Sequence, residues 1–360
     1  MVEPAHSSLF EKAIIVTPIG PSTYAACLDP AWCIGKVPHG GYTMSIFYRT
    51  AAVHFARKQS ESEPKTTKTP KLPSPEPVGL QLSFLRRTLA GPAVLTVQEV
   101  KIGTRISTIH VSLSQPRNNP GPSAATTPAV QDKKDHEREL EVKVVGYITV
   151  SPPAYEVGPA VTGPWQATLS PPVVDFRALA EKGGDGAWVR NQSPPPGLFA
   201  AGHAELFFPV STLASAKTLK DQVKGVVEQW ACFTPGGHPA RWSNEAVLYL
   251  ADMFPPALNR LGAMEIQRLK QVGAISAEAK AGPFWYPSVT LNVDLKTRLP
   301  AEGVEWLHSH VVTRMLRGSR ADLEVVIHNG QGELVATSTQ VALVVDAARN
   351  LKGREASERL

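Results

Sequence analysis

Apolar and polar residues alternate with a period of two along residues 78–87, 93–102 and 106–114, each run bounded by Gly or Pro. This pattern predicts three strands of an antiparallel meander, and residues 140–150 resume it as a fourth. Upstream, residues 16–29 read as a strand interrupted at Gly20-Pro21, and the segment from Trp32 to Gly41 reads as a loop. Residues 42–59 lack Pro and Gly and carry Met44, Ile46, Phe47, Ala51, Val53 and Phe55 in a dense apolar pattern, which predicts a buried helix. The order then recurs. Residues 204–210 and 223–233 predict strands, 244–260 a helix interrupted at Pro255-Pro256, and 288–297, 304–316, 321–328 and 334–345 four more strands, with Asn329-Gly-Gln-Gly332 as a hairpin turn.

The recurrence extends to the residues themselves. Leu80-Gln-Leu-Ser-Phe-Leu-Arg-Arg87 is echoed 211 residues later by Leu291-Asn-Val-Asp-Leu-Lys-Thr-Arg298, and the turn Gly103-Thr104-Arg105 by Gly318-Ser319-Arg320, 215 residues later. A duplicated unit of this size implies two similar halves related by a pseudo-twofold axis, with a pocket where they meet. A helix followed by an antiparallel sheet, stated twice, is an α+β pattern. With each sheet wrapped around its helix, the expected architecture is a double hot-dog of two tandem hot-dog units. The first unit spans 1–150, with Pro-rich insertions at 60–77 and 116–138, the latter expected to lack fixed structure. A linker covers 151–200, the second unit 201–346, and a polar tail 347–360.

Composition narrows the class. The chain has 360 residues, 42% apolar and 19% charged, enough for two domains with a large core. No run approaches 18 apolar residues, so no membrane span is expected, and Met1-Val-Glu-Pro lacks the pattern of a secretion signal. Cys27, Cys33 and Cys232 have neither metal-ligand nor CxxC spacing, which predicts no metal site and suits a reducing compartment. A cytoplasmic location is expected. The C-terminal Ser357-Glu-Arg-Leu360 is near a peroxisomal signal, with Glu358 against it. The net charge of +5 is scattered and not drawn into a stripe, which argues against nucleic acid but suits an anionic ligand such as coenzyme A. No cofactor is expected, and a homo-oligomer is left open.

In a cavity walled by apolar strands, chemistry must come from the few polar groups that point inward. Asp252 lies within the apolar segment Ala246-Val-Leu-Tyr-Leu-Ala-Asp-Met-Phe254, where a buried carboxylate needs partners. Thr290 opens the strand Thr290-Leu-Asn-Val-Asp-Leu, on the same alternation as Asn292 and Asp294 and opposite Leu291 and Val293. Gln340 ends the stretch Val335-Ala-Thr-Ser-Thr-Gln340. Structural readings stand beside each: a solvent-facing helical acid, an ordinary strand threonine, a satisfied amide.

Taken together, these residues make the chain resemble the TesB-like acyl-CoA thioesterases of double hot-dog fold. That family carries an Asp on the second-half helix, a Thr early in the next strand and a Gln after a Val-Ala-Ser-Thr-like stretch. Asp252, Thr290 (by its distance from Arg298 and Pro300) and Gln340 match these in turn, and His39-Gly40-Gly41 matches a Gly-Gly helix start in the first half. The resemblance implies hydrolysis of an acyl-CoA or acyl-carrier thioester. Asp252 would activate water, Thr290 and Gln340 would hold that water, and His39, Gly40 and Gly41 would meet the substrate, the glycines at the helix N-terminus offering N–H groups to the oxyanion. No Gly-x-Ser-x-Gly elbow is present to support a serine nucleophile. Trp32, Tyr42, Trp242 and Trp285 are candidates to line an acyl tunnel or simply to fill the core. The same scaffold also admits a biosynthetic dehydratase or cyclase and a non-catalytic acyl-binding protein. The halves are expected to be unequal: residues 42–59 contain no acid, and at an offset of 211 Thr290 corresponds to Gly79.

Overall fold

A computed structural model describes residues 9–62, 74–117, 139–159, 172–191, 202–210, 225–254, 258, 271 and 284–346. The strands of its main sheet, in chain order, are β1 (Val16–Pro18), β2 (Thr23–Leu28), β3 (Glu76–Phe84), β4 (Gly91–Lys101), β5 (Ser107–Pro116), β6 (Leu140–Ser151) and β7 (Trp188–Arg190). They continue with β8 (Ala204–Pro209), β9 (Val226–Phe233), β10 (Ser288–Leu295), β11 (Trp306–Arg317), β12 (Arg320–Asn329) and β13 (Leu334–Leu343). All join one 13-stranded antiparallel sheet in the spatial order β1-β2-β4-β5-β6-β3-β10-β13-β12-β11-β9-β8-β7. The α+β double hot-dog expectation holds.

That order is a palindrome apart from β7. The halves meet where β3 pairs with β10, so the two repeated sequences lie side by side. Gln81 pairs with Asn292, its own counterpart at the 211-residue offset, which puts the local pseudo-twofold axis through this pair. Even an irregularity is duplicated: the β3/β6 ladder shifts register between Pro77 and Gly79, and the β10/β13 ladder between Ser288 and Thr290. In each case the partner strand advances one residue while this one advances two, which is a β-bulge at Val78 and again at Val289.

One face of the sheet is apolar because alternate residues, Leu80, Leu82, Leu291 and Val293 among them, point the same way and are fully buried or nearly so. Two helices cover it, Gly40–Ser62 from the first half and Asn244–Ala251 from the second. They touch each other as well as the sheet, and Ser45 Oγ donates to the Glu245 carbonyl at 2.8 Å. Gly41 permits the contact: a Cβ there would lie 2.4 Å from the Leu248 carbonyl oxygen and 2.8 Å from Tyr249 Cα. The helices and the inner sheet face therefore form one continuous core across both halves.

Local chemistry follows the sequence in most places. The β11–β12 hairpin closes through Gly318 and Ser319 at φ +58° and +59°, the left-handed pair a two-residue type I′ turn requires. At the next turn the Asn329 side chain accepts the N–H groups of Gln331 and Glu333 at 3.0 and 2.9 Å. Residues 16–29 form two strands, with the Gly-Pro interruption as the turn of a β1–β2 hairpin.

Two elements differ from expectation. The linker is more than a connection: Asp175 caps a helix at Phe176–Lys182, and β7 extends the sheet edge against β8. Leu179, Trp188, Phe207 and Trp230 form a small second apolar cluster there. The second-half helix stops at Ala251, short of the prolines. Residues 63–73 and 118–138 of the two insertions, Pro255-Pro256, Pro194-Pro-Pro-Gly197 and the tail 347–360 lie outside the described residues. Among the described residues no helix is long and apolar enough to cross a membrane.

Candidate active site

The second-half helix starts under a Ser243 cap, whose Oγ accepts the Ala246 N–H, and all six residues from Ala246 to Ala251 are buried. Asp252 closes it as the C-terminal cap, with its side chain buried at 4% exposure. A carboxylate at a helix C-terminus faces the negative end of the dipole and is disfavoured there. The first-half helix compensates, because its N-terminus points at the same carboxylate. Gly41 N–H donates to Asp252 Oδ2 at 2.9 Å. The other oxygen, Oδ1, accepts from Gln340 Nε2 at 2.9 Å and from Ser288 Oγ at 3.1 Å, while Gln340 Nε2 also reaches Ser288 Oγ at 3.2 Å.

The structure thus brings together Asp252 and Gln340 as the sequence pattern anticipates, but their hydroxyl partner is Ser288 and not Thr290. The bulge at Val289 explains the difference. Ser288 pairs with buried Ala342 and Thr290 with half-buried Val341, so Ser288 shares the inner face with Gln340 while Thr290 takes the outer face with Asn292. An unbroken alternation would have turned Ser288 outward. The one sequence signal for it was a hydroxyl directly after Pro287, at the first position of the predicted strand.

The first-half residues divide their tasks. Gly40 lines the cavity, and a Cβ on it would fall 2.7 Å from Asp252 Oδ2, so the close approach needs glycine. Gly41 departs from the substrate-binding role expected of it, since its N–H is committed to Asp252 and its Cα to the helix crossing. His39 is buried and lines the cavity, with Nδ1 3.5 Å from Asp252 Oδ2. Burial pushes its imidazole below the usual range, while the Asp252 carboxylate and backbone pull it back up.

These groups open onto a cavity of about 690 Å³. Phe84, Leu206, Met253, Phe254, Trp285 and Tyr286 give it an apolar wall, and Arg86, Arg87 and Arg190 add positive charge. Of the aromatic candidates, Trp285 lines this space, whereas Trp32, Tyr42 and Trp242 are fully buried in the core. Among the described residues no cluster of His, Cys, Asp and Glu could hold a metal ion. The pseudo-twofold axis carries Ser288 to Pro77 and Gln340 to Ile148, given the pairs Leu291–Gln340 and Leu80–Ile148. The mirrored position lacks both polar side chains.

Comparison with known proteins points one way. The N-terminal domain model of acyl-CoA thioesterases matches residues 28–131 and the C-terminal domain model matches residues 175–344. The thioesterase-like protein TwmA of Talaromyces wortmannii is 28% identical over 98% of this chain and 97% of its own length. Among solved structures, a candidate thioesterase II from Thermobifida fusca aligns over 94% of this chain and 98% of its own, at 18% identity and a TM-score of 0.62. A protein of unknown function with a hot dog fold from Alicyclobacillus acidocaldarius aligns over the same shares at 15% identity and a TM-score of 0.59. At such identities the two structures speak for the fold alone.

Proposed function

Because the chain belongs to the acyl-CoA thioesterase family, we propose that it hydrolyses acyl-CoA in the cavity between its halves, with Asp252 as the base and Ser288 and Gln340 holding the water. The observation that carries this reading is the convergence of Ser288 Oγ and Gln340 Nε2 on one oxygen of a buried carboxylate in the cavity wall. A water lodged against that trio is held at attacking distance from a thioester laid along the apolar wall. Asp252 takes its proton as oxygen bonds to the thioester carbon. The oxyanion forms beside the N-terminus of the first-half helix, where Gly40 leaves room for close approach and the dipole favours negative charge. Collapse breaks the carbon–sulfur bond, and the proton leaves with the thiol.

Arg86, Arg87 and Arg190 suit the phosphate-bearing thiol arm of coenzyme A, and a carrier protein would present the same arm. Ser288 does the work the sequence pattern assigned to Thr290. The test is thiol release from acyl-CoAs of increasing chain length by the native protein and by Asp252→Asn. Loss of at least a thousandfold in kcat with an unchanged melting temperature is expected. Unchanged turnover removes Asp252 from the chemistry.

A further inference from the structure

His39 immediately precedes the first-half helix, and its place does not depend on its ring. Its N–H donates to the Trp32 carbonyl at 2.9 Å, and its carbonyl accepts both the Thr43 N–H at 2.9 Å and Thr43 Oγ1 at 3.0 Å. The imidazole is 3% exposed, packs on the Tyr249 ring with centroids 4.8 Å apart, and forms part of the cavity wall. Its Nδ1 is buried without a hydrogen-bond partner, and the nearest carboxylate oxygen is Asp252 Oδ2 at 3.5 Å.

A buried polar nitrogen left without a partner carries an uncompensated desolvation cost. Here the cost falls beside the carboxylate proposed as the base. At 3.5 Å the resting contact is too long for a hydrogen bond. Arrival of a proton changes it, because an imidazolium next to a carboxylate forms a short charge-assisted bond. An interaction weak in the resting site and strong after proton transfer lowers the barrier and leaves substrate binding alone.

We propose that His39 is a positioning residue for Asp252 that shares the proton drawn from water, a role that rests on the hydrolytic reading above. The water O–H bond breaks and its oxygen bonds to the thioester carbon; the proton passes from Asp252 to His39 Nδ1, which keeps Asp252 anionic while the tetrahedral intermediate lasts. As the carbon–sulfur bond breaks, the proton returns through Asp252 to the departing sulfur. No oxidant or other co-reactant is required. The titratable groups facing the imidazole are Asp252 and Tyr249 from the second-half helix and its cap, and His203 from the segment before β8. Burial holds the Tyr249 phenol above its ordinary range and the His203 imidazole below its own.

The experiment compares His39→Ala, His39→Asn and Asp252→Asn with the native chain by thiol release from acyl-CoA between pH 5 and 8, with melting temperatures as a fold control. His39→Ala should lower kcat at least tenfold with KM within twofold, and should shift the acid limb of the kcat profile. His39→Asn, which keeps a donor near the Nδ1 position but cannot ionise, should recover part of kcat while retaining the altered acid limb. The proposal is overturned if His39→Ala stays within twofold of native kcat, or if Ala and Asn lose activity equally with a native-shaped pH profile. Full activity in Asp252→Asn would instead sink the hydrolytic reading itself, whatever His39 does.

Discussion

Asp252 caps its own helix with its backbone but gives one carboxylate oxygen to the other half, where Oδ2 accepts the Gly41 N–H at 2.9 Å. The pair sits where the two helices touch, with Gly41 against Leu248 and Tyr249. Gly41→Ala would drive a methyl group into backbone that cannot move without parting the helices. A loss of about 2 kcal/mol is expected from overpacking of this kind, together with a fall in kcat as Asp252 is displaced. Chemical denaturation and thiol-release kinetics on one preparation would check both; a variant as stable as the native chain would refute the crossing as a constraint.

Ser288 and Thr290 lie two residues apart on opposite faces of β10 because of the bulge between them. Ser288→Ala should cut kcat by about one to two orders of magnitude through loss of one water-holding group. Thr290→Val should leave kcat within twofold, since that side chain lies on the outer face with Asn292. Steady-state kinetics on the two variants decide the assignment. The reverse result would restore Thr290 to the site.

Four buried imidazoles set the response of stability to acid. His39, His54, His203 and His328 are each pushed below the ordinary range by burial. In the unfolded chain they titrate near about 6.5, whereas the native rings stay neutral to lower pH, so the unfolded state binds more protons in that window. Stability should therefore be level above about pH 7.5 and fall as the pH drops through about 6.5. Glu228 acts later. Burial alone would raise its pKa, but hydrogen bonds with His308 and His310 hold it at about 2, so its contribution is present above the ordinary carboxylate range and is lost as the pH falls toward that value. Melting curves from pH 8 to 4 test this, and a melting temperature as high at pH 5 as at pH 7.5 would contradict it.

Arg298 clamps the halves from the opposite side of the pseudo-twofold axis. It donates to Glu76 at 2.7 Å, to both oxygens of Glu156 at 2.6 and 3.1 Å, and to the Ser151 carbonyl at 3.0 Å. Its counterpart at the 211-residue offset, Arg87, lines the candidate cavity. Arg298→Ala should cost about 2 kcal/mol, since bidentate geometry strengthens a network that partial exposure weakens. Its kcat should stay near native, a split that stability and turnover measurements would reveal.

The parts of the fold legible in the sequence are those with a local period. Alternation marked the long strands, the dense apolar run at 42–59 marked the first helix, and the echo of Leu80 to Arg87 in Leu291 to Arg298 announced the pseudo-twofold axis. Asp252 stood out because a carboxylate amid Leu250, Ala251, Met253 and Phe254 demands partners. Those partners were less visible. The Gly41 donor is 211 residues away, a distance over which no local pattern operates. The bulge at Val289 leaves no gap in the alternation, yet it turns Ser288 inward where an unbroken strand would leave it outward beside Thr290. The linker's short helix and three-residue strand carry too few residues to display a period among so many prolines and glycines.

The shared carboxylate also fixes when activity can arise. A chain growing from its N-terminus folds a first half that holds Gly41 but lacks Asp252, Ser288 and Gln340; the second half alone has those three but no N–H to orient Asp252 Oδ2. On the proposed mechanism, neither half alone would hydrolyse a thioester. Competence toward thioesters would thus emerge only once helix has docked on helix, making turnover a reporter of completed folding.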